Sequence, residues 1–488
     1  MYERHGLIVA ETLPPTTEHV IHGYNNAGVL QAFESFDVSG DMPGMRDASE
    51  FRDSQKSAFL QGTVRNPVLN NCPNFELQRS NRREMRRVAT SLKFVQEQRR
   101  DEGVVASAED GLLDSMIASR VRELDFVETA ATIAANILSP ERRAGQAEAL
   151  KSTAREIYGM PDINRALTLI DRRLQKARNI VADESHPMHD IAEQLIASIT
   201  LPEFATSEAT MSEEMVSHYR TLIRTMCQKA IEYSLEEVNG KDILETTESA
   251  DVFNRYLQIQ GYAEDGWKAI LVPNRSSCAA KMTDTVIEIG EKRTAGMRKQ
   301  NKVIESEIHE AEVHAGRQAK GKKLGAGLAE FGLLHYGSFE EPFAATVASM
   351  YHGKPKSAGE PFTIAIALAA GYDAHPERDF RDCYEILWRL SAVNQYTQDK
   401  SYDMQVESAQ TSAYSNLVRI WRGMPTDVPG CVFPKDRVYD NTEVIEYLQN
   451  NGQPLPEKHF LRLFAAKYNP LQPGQDQYIQ KLMDSKTT

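Results

Sequence analysis

Apolar residues recur at helical spacing along most of this chain. The clearest case is Ile304, Ile308 and Ala311, at i, i+4 and i+7, a narrow stripe that can pack one helix face on a domain body. Helical patterning also marks Leu112–Leu138, Asn164–Val181 and Met215–Glu237, and Pro140 closes the first of these. Beyond position 340 it returns over Pro342–Met350, Pro361–Ala370, Arg378–Val393, Tyr402–Arg422, Thr442–Asn450 and Glu457–Lys467. Two stretches differ. Trp267–Val272 and Thr285–Ile289 are aliphatic and β-branched and bounded by polar and turn residues, so they read as strands. Asp251–Gly261 leads into the first of them, and the polar Leu201–Glu214 reads as a hinge.

Residues 1–60 carry Pro14, Pro15, Gly40, Pro43 and Gly44 without any period, and read as an extended or partly disordered arm. The expected division is that arm, a helical region over 61–250, a mixed domain over 251–475 and a tail over 476–488. The fold class expected is α+β, helix-rich, with a small sheet.

Composition narrows the picture. At 488 residues the chain can bury two or three cores, and 26% charged with 41% hydrophobic residues describes an ordinary globular protein. A net charge of −13 argues against nucleic acid as a partner, and no apolar run approaches a membrane span. The first ten residues hold too short an apolar core for a signal peptide, and the five scattered cysteines form no CxxC pair. A reducing, cytoplasmic setting is expected. The oligomeric state is left open.

Candidate chemistry sits at His309-Glu-Ala-Glu-Val-His314, which spells H-E-x-x-x-H, one residue longer than the zinc motif H-E-x-x-H. A catalytic zinc takes three protein ligands and leaves one position to water, whose pKa falls toward about 7. His309 and His314 are therefore candidate ligands and Glu310 the candidate general base. On a straight α-helix residues five apart sit about 140° apart, against about 40° for an i, i+4 pair. The spacing predicts an over-wide π-turn near Glu312. Carboxylates that can complete the set are Glu330, Glu340 and Glu341. Pro342, read as the first residue of a helix, places Glu341 at a pre-organised helix start, with Glu340 in hydrogen-bond support of a histidine.

Other charged features are less specific. Gly316–Gly327 reads as a flexible basic loop whose Arg317, Lys320, Lys322 and Lys323 can attract an anionic peptide end. It lacks the order of a phosphate-binding loop. Asn81–Arg100 is a basic helix suited to an acidic partner or to a solvated face. His186 with His189, and His19 with His22, are histidine pairs without a neighbouring glutamate base.

Three segments resemble the microtubule-associated tyrosine carboxypeptidase family and its bacterial relatives. His309-Glu310-x-x-x-His314 is similar to the family's zinc helix, and Glu340-Glu341-Pro-Phe-Ala344 to its E-E-G-L-A or Q-E-G-L-A box. Arg422-Gly423, followed by Pro429-Gly-Cys-Val-Phe-Pro-Lys-Asp-Arg-Val-Tyr439, is similar to its R-G … P-G-x-F-x-K-D-x-x-Y stretch. Pro342 and Phe343 replace the glycine and leucine of the box, and Val313 stands where threonine usually precedes the second histidine. The resemblance implies a zincin-like catalytic domain over roughly 267–448, Zn2+ on His309, His314 and Glu341, and hydrolysis of a C-terminal residue, tyrosine in the eukaryotic members.

A carboxypeptidase must also neutralise the substrate's terminal carboxylate. Arg422 and Lys435 are the candidates for that, with Tyr439 as donor to the developing oxyanion. The expected substrate is thus a peptide or protein C-terminus. Two alternatives stand beside this reading: a dipeptidyl-peptidase-like zinc aminopeptidase, and a non-catalytic helical interaction protein with a structural metal site.

Overall fold

The computed structural model describes residues 49–70, 108–135, 138–282, 284–325, 328–353 and 359–487. The basic stretch 81–100 and the pair His19 and His22 lie outside the described residues. Helices dominate, as the periodicity predicts. They are α1 (Ser49–Leu60), α2 (Ala108–Ala134), α3 (Pro140–Tyr158), α4 (Ile163–Val181), α5 (His189–Ala197), α6 (Glu213–Leu235) and α7 (Thr246–Ile259). After the sheet come α8 (Gln300–Ser306), a π-turn (Glu307–Ala315), α9 (Gly316–Leu324), α10 (Leu328–Phe331), α11 (Tyr336–Tyr351) and α12 (Glu360–Ala369). The chain closes with α13 (Phe380–Gln395), α14 (Tyr402–Ile420), α15 (Thr442–Gln449), α16 (Glu457–Arg462) and α17 (Gln475–Thr487).

Capping explains several boundaries. Ser139 accepts from the Arg142 amide with Pro140 in the first turn, so the proline read as a terminator opens α3. Ser212 and Ser401 cap α6 and α14 in the same way. The extended arm expected over 1–60 does not hold over its last twelve residues, which form α1. Phe59 explains this: its ring meets Phe380 at 5.1 Å and Tyr384 at 4.8 Å, tertiary contacts that no local period announces.

The sheet has three strands, β1 (Lys268–Val272), β2 (Cys278–Lys281) and β3 (Val286–Gly290), in the order β1-β3-β2. β1 and β3 are parallel, with Lys268 opposite Val286, and β2 runs antiparallel on the far side of β3. The two expected strands are therefore present within a residue of their predicted bounds. β2, with the sequence Cys-Ala-Ala-Lys, carries no strand signal of its own and forms because β3 offers it an open edge. It lies against the π-turn, where the Ala280 amide, facing away from β3, donates to Glu310 Oε2 at 2.8 Å.

One apolar core runs from Phe59 to Ile479. The helical region before 250 packs directly on the helices beyond the sheet, α4 against α12 and α13. No described helix is long and apolar enough to cross a membrane.

Candidate metal centre

The H-E-x-x-x-H segment does not sit on a straight helix. Residues 300–324 wind as one helix whose middle, Glu307–Ala315, is π-helical. An i→i+5 ladder stacks residues five apart on one face, which a 3.6-residue turn cannot do. His309 and His314 accordingly face each other, with ring centroids 5.0 Å apart.

Glu312 anchors the turn from the opposite side. Fully buried, it accepts from Tyr256 Oη at 2.9 Å, Gln260 Nε2 at 2.8 Å and Tyr262 Oη at 3.1 Å, and pairs with Lys320 at 2.7 Å. Gly316 allows this: a Cβ there would lie 2.8 Å from Tyr262 Oη.

Donor atoms of His309, Glu310 and His314 lie within 4.8 Å of one another. The carboxylate of Glu341 sits across from them, Oε2 at 3.7 Å from His309 Nε2 and Oε1 at 3.7 Å from His314 Nε2. Four ligands at about 2.0–2.1 Å around a tetrahedral zinc are spaced by about 3.4 Å. Each of the two His–Glu341 separations, made to a different carboxylate oxygen, is within a few tenths of an ångström of that spacing. Glu310 is the less apt third ligand, because the Ala280 amide already holds it to one side.

The structure brings Glu340 to His314 Nδ1, 2.7 Å from its Oε1. Arg317 and Lys467 also hold Glu340, at 2.8 and 2.6 Å, and all three side chains are essentially without solvent contact. Burial alone would raise the Glu340 carboxyl; Lys467, Arg317 and His314 instead keep it well below the usual carboxylate range. Glu341 behaves alike: burial opposes its charge, but His314 and His309 lower it to about 2. His314 rises to about 9, since Glu341 and Glu340 outweigh the burial that disfavours its cation.

Comparison with family models and with curated proteins returns no match for this chain. Its chemistry must be argued from its own residues.

The remaining expected site residues are placed as follows. Tyr439 ends a 3-10 turn, Pro434–Tyr439, packed against α11; after burial, the Glu341 charge is the main influence raising its phenol. Arg422 lies 3.8 Å from Asp436, and Lys435 is half-buried on the same turn.

The sequence does not single out Arg419, in the last turn of α14. Its Nε donates to Asp436 Oδ2 at 2.6 Å, and its guanidinium lies 4.5 Å from the Phe362 ring and 5.1 Å from that of Tyr439. Nor does it single out Lys467, far away in sequence on a segment patterned only as the end of a helix.

Two local expectations are corrected. Pro342 does not begin a helix: α11 starts at Tyr336, and Glu340, Glu341 and Pro342 lie inside it. A proline in a helix costs one hydrogen bond, and the buried packing of Phe339, Phe343 and Val347 carries α11 through it. The basic stretch after His314 is not a flexible loop over Gly316–Leu324 but a continuation of the same helix. Its cations are committed: Arg317 to Glu340, Lys320 to Glu312, and Lys322 and Lys323 to Asp265 at 3.6 and 3.4 Å. His186 and His189, the pair without a neighbouring base, turn to separate partners. His186 Nδ1 accepts from the Met188 amide while His189 turns to Asp190.

Proposed function

We propose that this protein is a zinc-dependent metallo-carboxypeptidase with a zincin-like catalytic region, similar in chemistry to the tyrosine carboxypeptidase family that its motifs resemble. The observation that carries this reading is the π-turn, which aims two imidazole Nε2 atoms at one carboxylate while a second carboxylate stands beside them. His309, His314 and Glu341 would hold Zn2+, and Glu340 would fix the tautomer of His314. A bound Zn2+ supplies a Lewis acid that acidifies water and polarises a carbonyl.

Glu310, steadied by the Ala280 amide, takes the proton of the attacking water and returns it to the leaving amine. Tyr439 donates toward the developing oxyanion. Arg422 and Lys435, with Arg419 paired to Asp436 on the turn that carries Tyr439, would orient the substrate's terminal carboxylate. Such cations favour a peptide or protein C-terminus over the free amine an aminopeptidase must grip. Cys227, Cys278, Cys383 and Cys431 are free thiols, which supports a cytoplasmic setting.

Replacement of Glu310 by Gln tests the assignment. Turnover of peptides with a free C-terminus is expected to fall about 10²–10⁴-fold. Zinc content, measured by elemental analysis, is expected to stay at one per chain. Cleavage that survives a blocked C-terminus but not a blocked N-terminus would give the aminopeptidase reading instead. A variant that loses its zinc would make Glu310 a ligand and overturn its role as base.

A further inference from the structure

Lys467 and Arg317 belong to the site although neither can touch a substrate or a metal. Arg317 is fixed at three points: Nε donates to Ala466 O at 2.8 Å, one terminal nitrogen to Tyr468 O at 2.6 Å, and the other to Glu340 Oε2 at 2.8 Å. Lys467 donates to Glu340 Oε1 at 2.6 Å, and its ammonium lies 5.1 Å from the Tyr336 ring. Its backbone is held as firmly: its amide donates to Ala329 O at 2.8 Å, and its carbonyl accepts from the Leu333 amide at 2.9 Å. The segment 466–468 is thereby stitched to α9, which continues the π-turn bearing His309 and His314, and to α11, which bears Glu341.

Two buried cations on one carboxylate are more than neutrality of that carboxylate needs. A buried charge is costly unless matched, and the second match here is Glu341, the next residue along α11. Pairs Arg317 with Lys467 and Glu340 with Glu341 thus balance. Glu340 Oε1 is shared by Lys467 and His314 Nδ1, so the ammonium fixes the carboxylate on the imidazole. That leaves Nε2 of His314 turned toward His309 and Glu341, and it keeps Glu340 from swinging round to become a ligand itself.

We propose that Lys467 and Arg317 are positioning residues: acting through Glu340, they hold His314 in the orientation that receives the metal, so the C-terminal segment 466–468 is a working part of the centre. The inference rests on the zinc reading above. It predicts that losing Lys467 weakens the metal site itself, beyond any loss of fold stability.

Zinc affinity of the full chain, measured by competition with a chromophoric chelator, reads this directly. Thermal unfolding, followed in parallel, reads the fold. Lys467→Met and Glu340→Gln are each expected to raise the zinc Kd about 10–100-fold. Combining them is expected to add little to Glu340→Gln alone, because Lys467 acts through that carboxylate. A folded Lys467→Met protein with the wild-type Kd overturns the inference, even if its melting temperature is lower. So does a double variant whose loss is the product of the two single losses. Should Lys467→Met fail to fold, the double variant, which leaves no ammonium without its partner, is compared with Glu340→Gln. Equal Kd values then support the inference, and a further tenfold loss overturns it. Wild-type protein that binds no zinc, or binds it as tightly after His309→Ala, overturns the zinc reading and this inference with it.

Discussion

Glu307 opens the π-turn, completely buried, and neither of its oxygens has a hydrogen-bond partner. Burial pushes its carboxyl from 4.5 to about 8, with only the Ser234 hydroxyl working against it. An unfolded chain would release this proton near pH 4.5, whereas the folded chain keeps it until about pH 8. Between those values the unfolded state binds fewer protons, so Glu307 makes the fold less stable as pH rises. Replacement by Gln keeps the shape and removes the penalty. Unfolding free energies of the two proteins from urea titrations should agree near pH 4.5 and separate progressively toward pH 8, by on the order of 1–4 kcal/mol. A gap of the same size at both ends of that range would mean that ionisation is not the cause.

The local geometry of the H-E-x-x-x-H helix depends on two small-scale fits. Glu312 is tied to Tyr256, Gln260, Tyr262 and Lys320 on the side away from the histidines, and this holds the widened turn in register. Gly316 lets Tyr262 approach to complete that anchor. In Gly316→Ala the new methyl group would displace the Tyr262 ring, with a cost of about 1–3 kcal/mol in a urea titration. Zinc binding should weaken as well, because the same displacement loosens the turn that pairs His309 with His314. Unchanged affinity alongside lost stability would show that the turn keeps its register without Tyr262.

Neighbouring elements show how far local pattern carries. The π-turn was legible because five-residue spacing of two histidines is incompatible with a shared ligand on a straight helix. The β-branched β1 and β3 were legible for the same kind of reason. β2 was not, since Ala279 and Ala280 have no preference for strands and only the open edge of β3 recruits them. Pro342 misled because its usual place is a helix start, and the buried aromatic packing around it decided otherwise.

Over the whole molecule, one core ties the chain's beginning to its middle and end. Phe59 sits among Phe380, Tyr384 and Tyr414, with the Arg381 guanidinium 3.6 Å from its ring centroid. Truncating it to Ala should cost about 3–5 kcal/mol of stability. The zinc Kd should be unaffected, because α1 packs on α13 and α14 rather than on the candidate centre. A weakened Kd in a folded Phe59→Ala protein would reveal coupling between that distant core and the site. At the other end, Asp476 of α17 accepts from Arg462 at 2.9 and 2.7 Å and from Tyr468 at 3.1 Å, and so secures the segment that carries Lys467.

By itself the sequence determined what depends on near neighbours: a helix-rich chain, two of three strands, and a His-Glu-x-x-x-His segment whose spacing demanded a widened turn. It also offered Glu330, Glu340 and Glu341 as carboxylates for that segment, and favoured Glu341 on a helix start at Pro342 that the fold does not have and on the family resemblance. Only the tertiary structure decided which carboxylate faces the imidazoles and that the basic stretch after His314 is spent on internal ion pairs. It alone brought Lys467 to Glu340, and Arg419 to Asp436 and the Tyr439 ring. Those choices are made by burial and by charges meeting across distant parts of the chain, and neither leaves a period in the sequence.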